Sequence, residues 1–121
     1  MTYERFMELT DVLDTASSDV LRRKGANYAP GDDRLHNFRA GADIMGGTPA
    51  QACWGYMTKH LVALRDKVER NDFHDLDALL ENCVDLSNYL RCLWNIGNEE
   101  HDKYTSGLVC EGGTRDDRAE A

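Results

Sequence analysis

The chain has 121 residues, 41% of them hydrophobic and 30% charged, with a formal charge of −8, which is the size of one domain with enough apolar material for one core. Such an acidic balance disfavours duplex nucleic acid, whose binders neutralise phosphates with Lys and Arg. It leaves free nucleotides open as ligands, because carboxylates that hold Mg²⁺ turn its charge towards phosphates.

In chain order, Phe6, Leu9, Leu13, Ala16 and Val20 recur at steps of three and four, predicting a first helix over residues 2–24. Ser17-Ser18 is a candidate break, since serines compete for backbone hydrogen bonds. The run Gly25-Ala26-Asn27-Tyr28-Ala29-Pro30-Gly31-Asp32-Asp33 reads as a loop. Leu35, Phe38, Ala42 and Met45 then define a short helix stopped by Gly46-Gly47. Thr48-Pro49 reads as an N-cap with proline at the first helical position. The third helix carries Cys53, Met57, Leu61, Leu64 and Val68, with Trp54 beside the stripe, and ends near Asn71-Asp72. A fourth begins near Asp75, bears Leu76, Leu79, Leu80, Cys83, Leu86, Leu90, Leu93 and Trp94, and fades around Gly97. Its apolar face is broad enough for the centre of a bundle. The fold class is therefore all-α, a bundle of about four helices over residues 1–100, followed by a polar, mobile tail over 101–121.

The N-terminal MTYERFMELTD holds no signal-like apolar run, and no uncharged segment reaches the roughly 18 apolar residues of a membrane span. The expected location is cytoplasmic, with no membrane partner. Cys53, Cys83, Cys92 and Cys110 show no CxxC spacing, so they read as reduced structural thiols rather than a zinc site.

Three clusters carry polar chemistry. In LLENCVDLSNYL, Glu81, Asp85 and Asn88 share a helical face at i, i+4 and i+7, a spacing at which carboxylates from adjacent turns can hold one divalent cation. They interrupt the most apolar helix, where an inward carboxylate must be paired or metal-bound. In YMTKHLVALRD, Lys59 suits a phosphate, Asp66 a metal, and His60 lies beside them. In RRKGANYAPGDDRLHNF, Lys24 and Arg34 suit phosphates and Tyr28 a stacked base, with Asp32, Asp33, His36 and Asn37 nearby. No GxxxxGK[ST] loop occurs. Each cluster also has a plainer reading: a solvated face, a helix surface with His60 at the core margin, and a structural turn.

Taken in order, KGANYAPGDDRLHNFRAGA, GYMTKHLVALRD and ENCVDLSNYL resemble small phage-type proteins related to the all-α MazG-like nucleotide pyrophosphohydrolases and the nucleotide-modification-associated domains. The resemblance spans residues 21–94. It implies Mg²⁺ held by an EExxE motif and an ExxD motif, with a metal-activated water releasing pyrophosphate from a nucleoside triphosphate. Glu81 and Asp85 take the place of the second motif, spaced ExxxD here. EExxE is absent, which leaves Lys59, His60 and Asp66 as the third-helix partners.

Three functions follow as expectations. In the first, the protein is a Mg²⁺-dependent nucleotide pyrophosphohydrolase in which Glu81, Asp85 and Asp66 form the metal and catalytic set. Lys24, Tyr28, Arg34, Asn37, Lys59, His60 and Asn88 then hold the ligand. In the second, the same pocket sequesters a nucleotide, linear or cyclic, as in phage counter-defence. The third is a helical interaction module. A homo-oligomer is compatible with all three.

Overall fold

A computed structural model describes residues 1–28, 31 and 33–107, without the side chains of 25–28. The side chain of the candidate residue Tyr28, the candidate Asp32, and the tail from 108 onward lie outside that description. The described chain is all-helical, with α1 (Tyr3–Tyr28), α2 (His36–Met45), α3 (Pro49–Glu69) and α4 (Leu76–Thr105) and no strand among the described residues.

Local chemistry sets most of the ends. Thr2 starts α1, its side-chain oxygen accepting the Arg5 amide at 3.1 Å. Gly46 stops α2 at φ 78°, and its amide and that of Gly47 both donate to the Ala42 carbonyl, a left-handed ending that glycine adopts without a Cβ penalty. Thr48 and Gln51 form a reciprocal capping box ahead of Pro49, satisfying two orphan amides. Asp75 caps α4 through the Ala78 amide.

Three boundaries differ from the sequence expectation. α1 continues four residues past Lys24, to Tyr28. It also runs unbroken through Ser17-Ser18, because Ser17 is the fully buried small residue where α1 meets α4. α4 does not fade at Gly97 but reaches Thr105, so residues 101–105 of the expected tail are helical. Its last turns are laced by Asn95 and Asn98 donating back to the Arg91 and Trp94 carbonyls and by a Lys103–Glu100 pair at 3.1 Å.

α3 and α4 form an antiparallel hairpin. Cys53 Sγ donates to the Tyr89 carbonyl at 3.5 Å, and one helical stretch later His60 meets Asp85 at 3.4 Å, so α3 ascends as α4 descends. In such a pair each successive residue turns about 100° towards the same side of the hairpin. The residues just before the seam, Ala52 and Asn88, therefore share one side, where α2 packs on α3 and α1 on α4. Those just after it, Trp54 and Leu90, share the other side, and both are exposed. The core lies along the seam: Phe38, Cys53, Met57 and Ile96 are buried, with Tyr56, Leu86, Tyr89, Cys92 and Leu93 packed around them.

Candidate functional site

On the covered side, α1 and α2 stand apart and leave a cleft above the hairpin. One cavity of about 610 Å³ is lined by Lys24 from α1, Arg34, Asn37 and Gly41 from the α2 region, Tyr56 from α3, and Asp85, Asn88 and Tyr89 from α4. A second, of about 710 Å³, adjoins it through the shared residues Leu21, Arg34 and Cys92, and adds Arg22, Arg91, Asn95, Glu99 and Asp102. Each is within the size range of small-molecule sites.

Asp85 organises the inner end. Its side chain is only 17% exposed and lies 3.4 Å from His60 Nδ1 and 3.8 Å from Lys24 Nζ. A carboxylate this deep needs such partners. His60 is also held by the Tyr89 ring, with centroids 5.3 Å apart. Burial, and secondarily the Asp85 charge, push the Tyr89 phenol above its ordinary value, so it stays protonated as a donor throughout the neutral range.

Asn88 proves to be a strut. Its amide nitrogen donates to the Ser17 carbonyl at 3.0 Å, and its oxygen accepts from Arg91 at 3.0 Å. It thereby fixes α1 against α4 and aims Arg91. At the other end Arg39 makes two parallel bonds to Glu99, at 3.1 and 2.9 Å, and reaches Asp33 at 3.2 Å. That bidentate clamp ties the start of α2 to α4. Tyr56 stands between α2 and α3, its ring 5.9 Å from that of Phe38 and its hydroxyl against Gly41.

The cleft thus gathers Lys24, Arg34, Asn37, Asp85 and Asn88, with His60 just behind. Other anticipated residues lie apart from it. Glu81 is exposed one turn nearer the hairpin loop. Asp66 pairs with its neighbour Arg65 at 3.6 Å. Lys59 is exposed and lines neither cavity. Among the described residues no three His, Cys, Asp or Glu side chains come together as a metal site, so Glu81, Asp85 and Asp66 do not form a shared cation site within one chain. Cys53, Cys83 and Cys92 are free thiols.

Sequence reading passed over Arg22, Arg91, Tyr56 and Tyr89. Arg22 belongs to the basic run Arg22-Arg23-Lys24, of which only Lys24 was singled out, Arg91 is a single charge without motif spacing, and the two tyrosines sit inside apolar stripes where a core role is the default. The available signal was their helical phase: Arg22 follows the apolar Leu21, and Arg91 lies one turn below Asn88.

No protein-family model matches the chain, and neither the curated proteins nor the solved structures gave a match. Functional inference therefore rests on the cleft itself.

Proposed function

We propose that the protein binds a free nucleotide in the cleft between α1, α2 and the α3–α4 hairpin, and holds it without cleaving it. The observation that carries this reading is that four basic side chains, Arg22, Lys24, Arg34 and Arg91, outnumber the carboxylates Asp85, Glu99 and Asp102 around one cleft of a chain whose net charge is −8. Guanidinium groups are suited to phosphates through paired N–H donors. The Tyr56 and Tyr89 rings and the Asn37 amide give a base and sugar apolar and hydrogen-bonding walls.

Hydrolysis assisted by Mg²⁺ is the competing activity, and it needs Glu81, Asp85 and Asp66 around one ion. The donor geometry within one chain does not supply that set, and Asp85 already faces Lys24 and His60. Retention of an intact ligand therefore has the better support.

The test is incubation of the full chain with linear and cyclic nucleotides, with and without Mg²⁺, followed by chromatography of bound, released and converted species. Intact nucleotide recovered after denaturation is the expected result, with affinity lowered about tenfold or more in Arg34→Glu. Mg²⁺-dependent pyrophosphate release would replace this reading with the enzymatic one. Absence of any binding would leave the interaction module.

A further inference from the structure

The uncovered side of the α3–α4 hairpin carries an apolar surface that no part of the described chain touches. Trp54, Leu61 and Val68 recur at steps of seven along α3, and Leu76, Leu90 and Trp94 lie along the matching face of α4. Trp94 is 72% exposed, Trp54 60% and Val68 59%. The same helices bury Cys53, Met57 and Ile96 along their seam, so these stripes are a second apolar face of elements that already have a core on their first.

Gly97 lies in the same α4 stripe, three residues after Trp94, with no described residue within 4 Å of the position a Cβ would take. A mid-helix glycine costs about 1 kcal/mol relative to alanine, and no neighbour among the described residues requires it. Beside it a groove of about 550 Å³ runs past Leu90, Leu93, Trp94, Asn98 and His101. The missing side chain opens room for a bulky group from outside.

We infer that a second copy of this chain covers this face, two hairpins meeting across a two-fold axis so that Trp94 of each copy enters the groove beside Gly97 of the other. Three features select that occupant. Neither stripe contains an Asp or Glu, although the chain has 22 acidic residues, so two copies of a −8 chain can approach here without opposing carboxylates. Antiparallel helices turned by a two-fold axis present apolar stripes to apolar stripes, the self-complementary arrangement of isologous contacts. The exposed parts of the six apolar side chains amount to about 700 Å² per copy, close to the ~800 Å² per partner that a stable interface buries. The face lies on the opposite side of the hairpin from the cleft, so the inference stands independently of the nucleotide.

The experiment is sedimentation velocity on the full chain at micromolar concentrations, comparing the native sequence with Trp94→Glu, Gly97→Arg and, on α1, Phe6→Glu. The native chain is expected to sediment as a dimer. Trp94→Glu and Gly97→Arg each weaken it by about 30-fold or more with unchanged helical circular dichroism, and Phe6→Glu leaves it intact. Gly97→Arg guards against a folding artefact, because it fills open space and removes a helix-weakening glycine. A native chain that is monomeric throughout overturns the inference. So does an assembly whose order survives both α4 substitutions, or one lost only in Phe6→Glu, which moves the contact to α1.

Discussion

The two sides of the α3–α4 hairpin begin one residue before and one residue after the seam, and they differ in almost everything in chemistry. Ala52 and Asn88 face α2 and α1 across a cleft edged by Lys24, Arg34 and Arg91. Trp54 and Leu90, their near neighbours in sequence, face outward and are exposed. On the first side the packing is fastened by directional polar bonds: Asn88 to Ser17, Arg39 to Glu99, Asp85 to His60 and Lys24. Such bonds contribute little net stability but fix geometry, which is what a ligand site requires. On the second side there is apolar area without directionality, which suits association. The difference teaches that a broad apolar arc on a helix does not by itself indicate a position at the centre of its own bundle. In α4's arc Leu86 and Leu93 pack on the core, whereas Leu76, Leu90 and Trp94 are exposed.

The sharpest way to break this asymmetry is at Gly41, where a Cβ would fall onto the Tyr56 hydroxyl and 3.6 Å from Ala52 Cβ. Gly41→Val should therefore push α2 off α3 and lower unfolding stability by about 2–3 kcal/mol, measured by urea denaturation. Nucleotide retention should go with it, while the sedimentation coefficient stays that of the native assembly. Full stability together with retained binding would show that Tyr56 swings aside and is no fixed wall of the cleft.

A subtler probe sits on the seam between the two sides. Burial, with a smaller push from Cys92, raises the Cys53 thiol from 9.0 to about 11. An acid whose folded-state pKa is raised leaves stability intact below the unfolded value and removes it as pH climbs through the folded one. Unfolding stability should then fall between pH 9 and pH 11, by on the order of 2 kcal/mol at the upper end, and Cys53→Ala should show a shallower fall. Parallel pH profiles for the two proteins would mean that the thiol is wetter than its burial implies.

How much of this was legible in the sequence depends on whether a feature is local. Thr48-Pro49, Gly46-Gly47 and Asp75 each carry their own boundary chemistry, so the ends of α2 and the starts of α3 and α4 were readable. Gly25 and Asn27 were read as breakers, yet α1 runs through them; Gly97 likewise lowers helix propensity without ending a helix of 30 residues. The i, i+4 spacing of Glu81 and Asp85 correctly gave a shared face. It could not say which of those two turns stands level with the partners on α1 and α3, and only Asp85 lies level with His60 and Lys24. Arg22 and Arg91 join the cleft through tertiary packing, which no spacing rule encodes. The stripe of α4 read as bundle centre was apolar for a reason, but the sequence does not say which half of it the chain itself covers.

Asn88 offers the smallest and most specific test, because it touches the cleft without being free to serve it. Both ends of its amide are engaged, with the Ser17 carbonyl on α1 and with Arg91. Asn88→Ala removes two part-buried hydrogen bonds and should cost about 1–2 kcal/mol, too little to unfold the chain. If the asymmetry between the two sides is real, the loss is felt only on the covered side. With the strut gone α1 loosens and Arg91 loses its aim, so nucleotide affinity should fall several-fold while self-association is unchanged. The decisive readout is native-state amide exchange, which should quicken around Ser17–Leu21 and stay slow along the seam at Cys53 and Met57. Uniformly faster exchange through all four helices would mean that Asn88 stabilises the whole fold and does not position α1 in particular. Unchanged exchange with weakened binding would make it a direct ligand contact.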